Sequence, residues 1–174
     1  LPEKGLQELW KTRKLAEQAQ DHNLYYQALR EELNYMADLG FGDLTEQQLI
    51  DLQMQSRHSL KIMHQIHEHH SLYELLKHRL LSPGFKTESN TKAVNDLILG
   101  ELSVINVGVK QQFESKKIHL LFQSFFLVHT RQYHSALSVF RDLHALFEAN
   151  EGFWNYPPYD NLSALDGILD NLHN

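Results

Sequence analysis

Histidine is the residue whose number and spacing in this sequence could most readily support chemistry. Of the 12 histidines, six fall in one short stretch: His58, His64, His67, His69, His70 and His78. Neutral imidazole binds zinc and iron, and carboxylates complete many such sites. His70, Glu74 and His78 are spaced by four residues, so on one helix they would share a face. These three residues are the candidate metal ligands of an alternative prediction, a metal-binding or sensing helical bundle.

The known patterns that combine histidine with glutamate in metal sites do not occur here. The helix-borne zinc-protease pattern needs two histidines four apart with glutamate after the first, and His67-Glu68-His69-His70 does not match it. The Glu-x-x-His spacing of ferritin-like di-iron proteins is also absent from the sequence. A solvated polar face that gains positive charge at acidic pH explains the same histidines without a metal. The main prediction is therefore that the protein binds no metal or cofactor.

The composition excludes several classes of catalytic site. The chain has no cysteine, which rules out disulfides, thiolate nucleophiles and cysteine-ligated zinc. No serine lies in a nucleophile-elbow sequence, and the 8 glycines form no phosphate-binding loop. Lys116-Lys117 is a short basic pair at a predicted helix start, where the helix dipole disfavours positive charge. We therefore predict that the protein is not an enzyme.

Length and charge limit the other function classes. With 174 residues, 42% of them hydrophobic, the chain can form one domain with a substantial core, predicted to span 1–174. A net charge of −6 argues against nucleic acid and anionic membranes as partners. No apolar run approaches the roughly 20 residues of a membrane span, and no signal peptide is recognisable, so a cytoplasmic location is predicted. The chain does not start with Met, and we expect it to be a fragment of a longer protein.

Hydrophobic periodicity predicts an all-α protein with about eight helices. The clearest signal covers 118–149, where apolar residues three and four apart form two stripes on either side of 130–133. A link this short predicts an antiparallel helical hairpin, with helices at about 112–131 and 133–149. The other predicted helices cover 2–20, 24–39, 45–69, 71–81, 90–107 and a last segment capped by Asn161 or Ser163.

The segment 45–81 leaves two alternatives open. It contains neither Gly nor Pro, and Thr45 with Gln48 forms a capping-box pattern at its start. Ser71 and Glu74 form a second capping-box pattern, which predicts two helices with a tight joint near His70. One continuous helix is the alternative.

The C-terminal region combines an aromatic loop with an apolar helix. The loop Trp154-Asn155-Tyr156-Pro157-Pro158-Tyr159 is predicted to fold back over the core, with an interaction surface as the alternative. The last helix keeps an apolar stripe to the end of the chain: Leu162, Leu165, Ile168, Leu169 and Leu172. We interpret this stripe as the face that meets a further unit of a repeating array, with the end of a domain as the alternative.

A short motif occurs twice. Tyr25-x-x-Ala28-Leu29 returns as Tyr133-x-x-Ala136-Leu137, 108 residues later, and opens the second helix of a predicted pair in both places. The motif suits a helical hairpin because the tyrosine fills the turn and the alanine permits a close helix crossing. The separation is close to three repeats of about 34 to 36 residues.

On these residues the chain resembles the tetratricopeptide repeat (TPR) family. In the second hairpin the family's positions are matched or approximated by Leu120, Ser124, Leu127, Tyr133, Ala136, Phe140 and Leu143. In the first hairpin Glu32 stands where the family usually has an aromatic residue, and 45–110 matches poorly in length.

The resemblance implies antiparallel helical hairpins stacked as an α-solenoid, with a concave groove that binds a protein or peptide. By the same resemblance, the groove residues would be Arg13 and Glu17 in the first hairpin and Phe125 and His129 in the second. The partner would be another protein or another domain of the same longer chain, and a homodimer is a further option.

Overall fold

Seven α-helices make up the part of the protein that its computed structural model describes, which is residues 2–42, 44–82, 88–107, 112–152 and 159–173. They are α1 (Pro2–Gln18), α2 (His22–Asp38), α3 (Glu46–Leu81), α4 (Glu88–Val107), α5 (Phe113–His129), α6 (Tyr133–Glu148) and α7 (Tyr159–His173). No β-strand occurs within these ranges, so the predicted all-α class is confirmed. The predicted number of about eight helices becomes seven here, because the two helices expected over 45–81 are one.

The long helix α3 runs without interruption for 36 residues, so the predicted joint near His70 is wrong. The pattern of Ser71 and Glu74 does not start a helix, because the buried face of α3 continues through this point. A regular backbone hydrogen-bond ladder also leaves no N–H group there that needs a cap. The buried positions follow steps of three, four or seven residues: Ser56, Ser59, Ile62, Gln65, His69 and Leu76.

The chain divides into two compact units, Leu1–His64 and Gln65–Asn174, with the boundary inside α3. In the first unit α1 and α2 pack as a hairpin, with Ala16, Ala28, Leu29 and Leu33 buried. Two apolar clusters form the core of the second unit. One joins α5, α6 and α7 through Phe113, Ala136, Phe140, Leu143, Phe147 and Ala164. The other joins α3, α4 and α5 through Leu76, Val94, Leu97 and Phe122.

The predicted hairpin of 118–149 is confirmed as α5 and α6, which pack directly on each other. α7 continues this packing onto α6. It lies very close to α6 at Gly167, where an added Cβ atom would overlap the ring of Phe140. A glycine is needed at this crossing because the space is taken by a buried ring.

The links α1–α2 and α5–α6 are the same kind of turn. Two residues after each first helix ends, the backbone is left-handed, at Gln20 (φ 53°) or Arg131 (φ 60°). The closing hydrogen bonds are Gln20 N–H to Glu17 O (3.1 Å), Asp21 N–H to Ala16 O (2.8 Å), Arg131 N–H to Val128 O (3.0 Å) and Gln132 N–H to Leu127 O (2.8 Å). This is the Schellman arrangement. α2 is closed in the same way at Gly40 (φ 67°).

Aligning the two hairpins by their turns gives a different residue correspondence from aligning them by the repeated sequence motif. Gln20 and Arg131 are separated by 111 residues (131 minus 20), whereas Tyr25 and Tyr133 are separated by 108. Tyr25 is accordingly the fourth residue of α2, and Tyr133 is the first of α6. The offset of three residues is close to one helical turn, so the same face still points inward. The buried pairs that correspond by the turns are Leu29 with Phe140 and Glu32 with Leu143.

Two helices begin earlier than predicted. α4 begins at Glu88, and α7 begins at Tyr159, so Asn161 and Ser163 lie inside α7 and do not cap it. Polar residues are tolerated within a helix whose apolar face is packed in the core. In α7, Ala164 is part of that packed face. The predicted aromatic loop lies outside the described residues except for Tyr159.

Candidate functional site

Three ionisable side chains meet in the interior of the second unit. Glu101 on α4 is 1% exposed, and His69 on α3 is 0% exposed. Oε1 of Glu101 lies 2.7 Å from Nδ1 of His69 and 3.0 Å from Nδ1 of His119 on α5. An ionised carboxylate only accepts hydrogen bonds, so in that state both Nδ1 atoms carry a proton and donate it. These three residues, termed the His–Glu–His cluster, link three helices through one carboxylate oxygen.

Glu101 is buried because it lies on the apolar face of α4. Val94 and Leu97, seven and four residues before it, are both in the core, and helical periodicity puts all three on one face. Burial of an isolated carboxylate would be strongly unfavourable, and two hydrogen-bond donors offset much of the lost hydration. His69 is brought inward in the same way, because it lies seven residues before buried Leu76 on α3.

The pKa of Glu101 lies below the ordinary glutamate value. Burial by itself raises the pKa, because the charged form loses hydration. The hydrogen bonds from His119 and His69, together with the positive charge that these rings can carry, lower the pKa by more than burial raises it. Glu101 is therefore an anion at neutral pH, held between two imidazole rings.

A cavity of about 170 Å³ adjoins the His–Glu–His cluster. It is lined by Gln65, His69, Ile105, Ser115, Lys116, His119 and Leu120. Two polar atoms of these residues are buried without a hydrogen-bond partner, Nε2 of His69 and Oγ of Ser115. Leaving such atoms unpaired is costly, so they mark positions where a water molecule or a ligand would bind favourably.

The metal ligands considered from the sequence do not converge. His70, Glu74 and His78 are all exposed on α3, and at 1.5 Å per residue the two histidines lie about 12 Å apart along the helix axis. Nε2 of His70 lies 3.5 Å from Glu114 of α5. Within the described ranges, no three histidine, aspartate or glutamate side chains are arranged to hold a metal ion. The interpretation of this stretch as a solvated face fits the exposed histidines but is wrong for His69.

The first unit has its own buried carboxylate. Glu32 on α2 accepts a hydrogen bond of 2.7 Å from Nε1 of Trp10 on α1. Nη1 of Arg13 lies 3.2 Å from the other oxygen of Glu32, and the Arg13 side chain is 21% exposed. Arg13, a predicted groove residue, therefore forms an ion pair that joins α1 to α2. Glu17, the second predicted groove residue, is exposed one turn further along α1.

The other two predicted groove residues, Phe125 and His129, stack on each other in the second unit. Their ring centroids are 4.1 Å apart, and Nδ1 of His129 lies 2.9 Å from the carbonyl oxygen of Phe125. Phe125 also meets Tyr73 of α3 edge-on, with a centroid distance of 6.0 Å. Phe125 is thus half-buried in the contact between α3 and α5, whereas His129 is exposed.

A larger groove of about 640 Å³ lies between α4, α5 and α6. Its apolar residues are Ile98, Leu102, Phe122, Phe126, Leu127 and Val139, and its polar residues are Gln123, His134, Ser135 and Ser138. None of these ten lining residues is Lys, Arg, Asp or Glu, and Phe125 and His129 are not among them. The groove is therefore an apolar surface with an uncharged polar rim.

The sequence carried only part of the signal for the His–Glu–His cluster. Glu101 was recognisable as a charged residue within the apolar stripe of its helix, between Leu97 and Leu102. His69 had no such signal, because the sequence does not distinguish it from His67 and His70, which lie within two residues of it. His119 is one of two histidines in α5, and a histidine in a mainly apolar helix is more often a core residue than a ligand.

The proposed function of this chain rests on the geometry described above. No protein-family model, curated protein or solved structure matches it. Among the described helices, none is both long enough and apolar enough to cross a bilayer.

Proposed function

We propose that this chain is a non-enzymatic protein-interaction module of TPR-like helical hairpins, which binds an amphipathic helix of another protein or of another domain of the same chain. The supporting observation is the groove between α4, α5 and α6. It combines an apolar floor with an uncharged polar rim, which is the chemistry of helix-in-groove recognition.

The groove leaves apolar surface in contact with water. Leu102 is 43% exposed at its edge, and Phe122 at its floor is buried. Covering such surface is favourable by about 25 cal/mol per Å² of apolar area. The expected ligand is a helix with large apolar residues spaced by three and four, flanked by Ser, Asn or Gln that can bond to Gln123, Ser135 and Ser138.

The two related hairpins support the repeat part of the proposal. α1–α2 and α5–α6 share the same turn closure, and each buries an alanine of the repeated motif, Ala28 or Ala136. Stacked hairpins of this kind bind partners along the surface that their helices share. The proposal uses the groove of the second unit and does not require Arg13 or Glu17.

Selection of helical peptides against the protein, followed by binding measurements, tests the proposal. The chain has no cysteine, so Ser138→Cys on the groove rim gives a single site for a fluorescent probe. A selected peptide should change the emission of that probe and bind with saturation. Leu102→Lys should weaken binding by about tenfold or more, because it places a charge against the apolar face of the peptide.

Leu99→Lys is the matched control. Leu99 is 65% exposed on the same helix and does not line the groove, so this variant should bind the peptide like the unmodified protein. Equal losses in both variants, or peptides that bind without affecting the probe at 138, would contradict the proposal.

A further inference from the structure

The cavity beside the His–Glu–His cluster has the features of a small-molecule site that is separate from the groove. We propose that it binds a small monocarboxylate with a short hydrocarbon tail. Lys116, Ser115 and His69 would hold the carboxylate, and Ile105 and Leu120 would contact the tail. The proposal stands independently of any protein partner.

Two buried, unpartnered polar atoms define where the head group would bind. Oγ of Ser115 and Nε2 of His69 are shielded from solvent and make no hydrogen bond, and both residues line the cavity. A hydroxyl can donate to a carboxylate, and so can the Nε2–H of a protonated imidazole. Nδ1 of His69 is already committed to Glu101, which fixes the orientation of the ring.

The start of α5 adds further donors. α5 begins at Phe113, so Ser115 and Lys116 lie in its first turn. The first N–H groups of a helix have no partner within the helix and carry partial positive charge, which favours a bound anion. The positive charge of Lys116 interacts unfavourably with the helix dipole in the free protein. A bound carboxylate would offset this unfavourable interaction.

The charges around the cavity favour one negative charge over two. Glu101 from α4 is an anion, Lys116 from α5 is a cation, and His69 and His119 can each take up a proton. Next to them Glu114 pairs with Lys117 at 3.0 Å and lies 3.5 Å from His70. The single charge of a monocarboxylate is balanced by Lys116, whereas the second charge of a phosphate dianion has no such partner and increases the repulsion from Glu101.

The volume of the cavity limits the tail. A dry cavity of about 150 Å³ holds benzene, so about 170 Å³ accommodates a carboxylate of about five carbons. Ile105 and Leu120 supply apolar contact for the carbons, while the polar residues are grouped on α3 and at the start of α5. The ligand class is therefore an amphiphile and not an inorganic anion.

Calorimetric titration of the whole chain with pentanoate, 1-pentanol and inorganic phosphate tests this proposal. Pentanoate should bind at one site, and about tenfold more tightly than either of the other two. Tighter or equal binding of pentanol, or an absence of pentanoate binding, would overturn the proposal.

Adjacent lysines provide the matched pair of variants. Lys116→Gln should weaken pentanoate binding by about tenfold, whereas Lys117→Gln should not, because Lys117 pairs with Glu114 and does not line the cavity. Ser115→Ala should weaken binding several-fold, by about the effect of one hydrogen bond to a charged group, without lowering the stability of the free protein. Equal binding by all three variants would show that the carboxylate is held elsewhere.

Discussion

The two units each bury one glutamate on a helix, but they compensate its charge in different ways. In the first unit, Glu32 is paired with Arg13, whose charge is permanent, and with Trp10, which remains 47% exposed. In the second, Glu101 is held by the imidazole rings of His69 and His119. Both partners of Glu32 are partly exposed, since the Arg13 side chain is 21% exposed, whereas His69 is 0% exposed.

This difference separates a local ion pair from an interior network. The turn correspondence places Glu32 where the other hairpin has Leu143, so an apolar residue suits that position in this architecture. Glu101, in contrast, satisfies two rings from two other helices at once. Replacing a buried carboxylate is therefore expected to cost little when its partners are partly exposed. The cost is large when the partners stay buried and lose their hydrogen-bond acceptor.

Replacing Glu101 is expected to have the largest effect. Glu101→Leu should lower the free energy of unfolding by about 3 to 5 kcal/mol, because it leaves Nδ1 of buried His69 without an acceptor. Urea denaturation followed by circular dichroism measures this loss. A decrease of less than about 1 kcal/mol would mean that the second unit tolerates apolar replacement as the first is expected to.

Acid should destabilise the protein through the same residue. The pKa of Glu101 is lower in the folded protein than in the unfolded chain, so protonation favours unfolding. The stabilisation is complete above the unfolded-state pKa, about 4.3, and is lost as the pH falls through the folded-state pKa. Glu101→Gln should therefore flatten the dependence of unfolding free energy on pH in this range. Glu8→Gln, at an exposed position, controls for net charge, and an equal flattening there would contradict the assignment.

The shared turn offers a test in both units at once. Gln20→Gly and Arg131→Gly should each stabilise the protein by about 1 kcal/mol, because left-handed backbone is costly for a residue with a side chain. Gly40→Ala should destabilise by a similar amount, since Gly40 has the same geometry. Thermal unfolding temperatures measure all three. Opposite signs for Gln20→Gly and Arg131→Gly would break the equivalence of the two turns.

Alkali should act on the first unit through Tyr25. Burial raises the pKa of Tyr25, Arg13 opposes this, and Glu17 and Glu32 add to the increase. The neutral phenol is thus favoured in the folded state, so its stabilisation is complete below the unfolded-state pKa of about 10 and is lost as the pH rises through the folded-state value. Tyr25→Phe should remove this alkaline loss, as measured by urea unfolding at high pH. An unchanged alkaline slope would exclude Tyr25 as its source.

The smallest effect is expected at Glu32. Glu32→Leu should change the free energy of unfolding by less than about 1 kcal/mol, because Arg13 and Trp10 can turn to solvent and the leucine fills the space. The same denaturation measurement as for Glu101→Leu gives the direct comparison. A loss of unfolding free energy as large as that of Glu101→Leu would show that Glu32 also belongs to an interior network. The contrast between the two units would then not hold.

Sequence patterns predicted helix ends correctly where the interactions that form the end join residues close in the chain. The capping box at the start of α3 forms as predicted, with the Thr45 N–H donating to Gln48 at 2.9 Å and the Gln48 N–H donating to Thr45 Oγ1 at 3.2 Å. The same pattern at Ser71 failed, because a capping sequence stabilises a helix end only where the backbone hydrogen bonds stop. Nothing near residue 71 interrupts the buried face of α3, so the helix continues.

The candidate site was predictable only in part, for a related reason. Helical spacing places Glu101 on the same face as Val94 and Leu97, but its partners come from α3 and α5, at sequence distances of 32 and 18 residues. The sequence gives no measure of which polar residues on separate helices meet. The predicted groove residues illustrate this: Arg13 and Phe125 are engaged within the packing of their own units.

The sequence by itself determined the all-α class, the positions of most helices and the turn of the α5–α6 hairpin, because backbone hydrogen bonds and caps join residues close in the chain. Tertiary structure decided which polar groups lie inside. His67, His69 and His70 are chemically identical and nearly adjacent, yet only His69 is buried against Glu101. Periodicity fixes which residues share a face, and the packing of neighbouring helices selects the face that is buried.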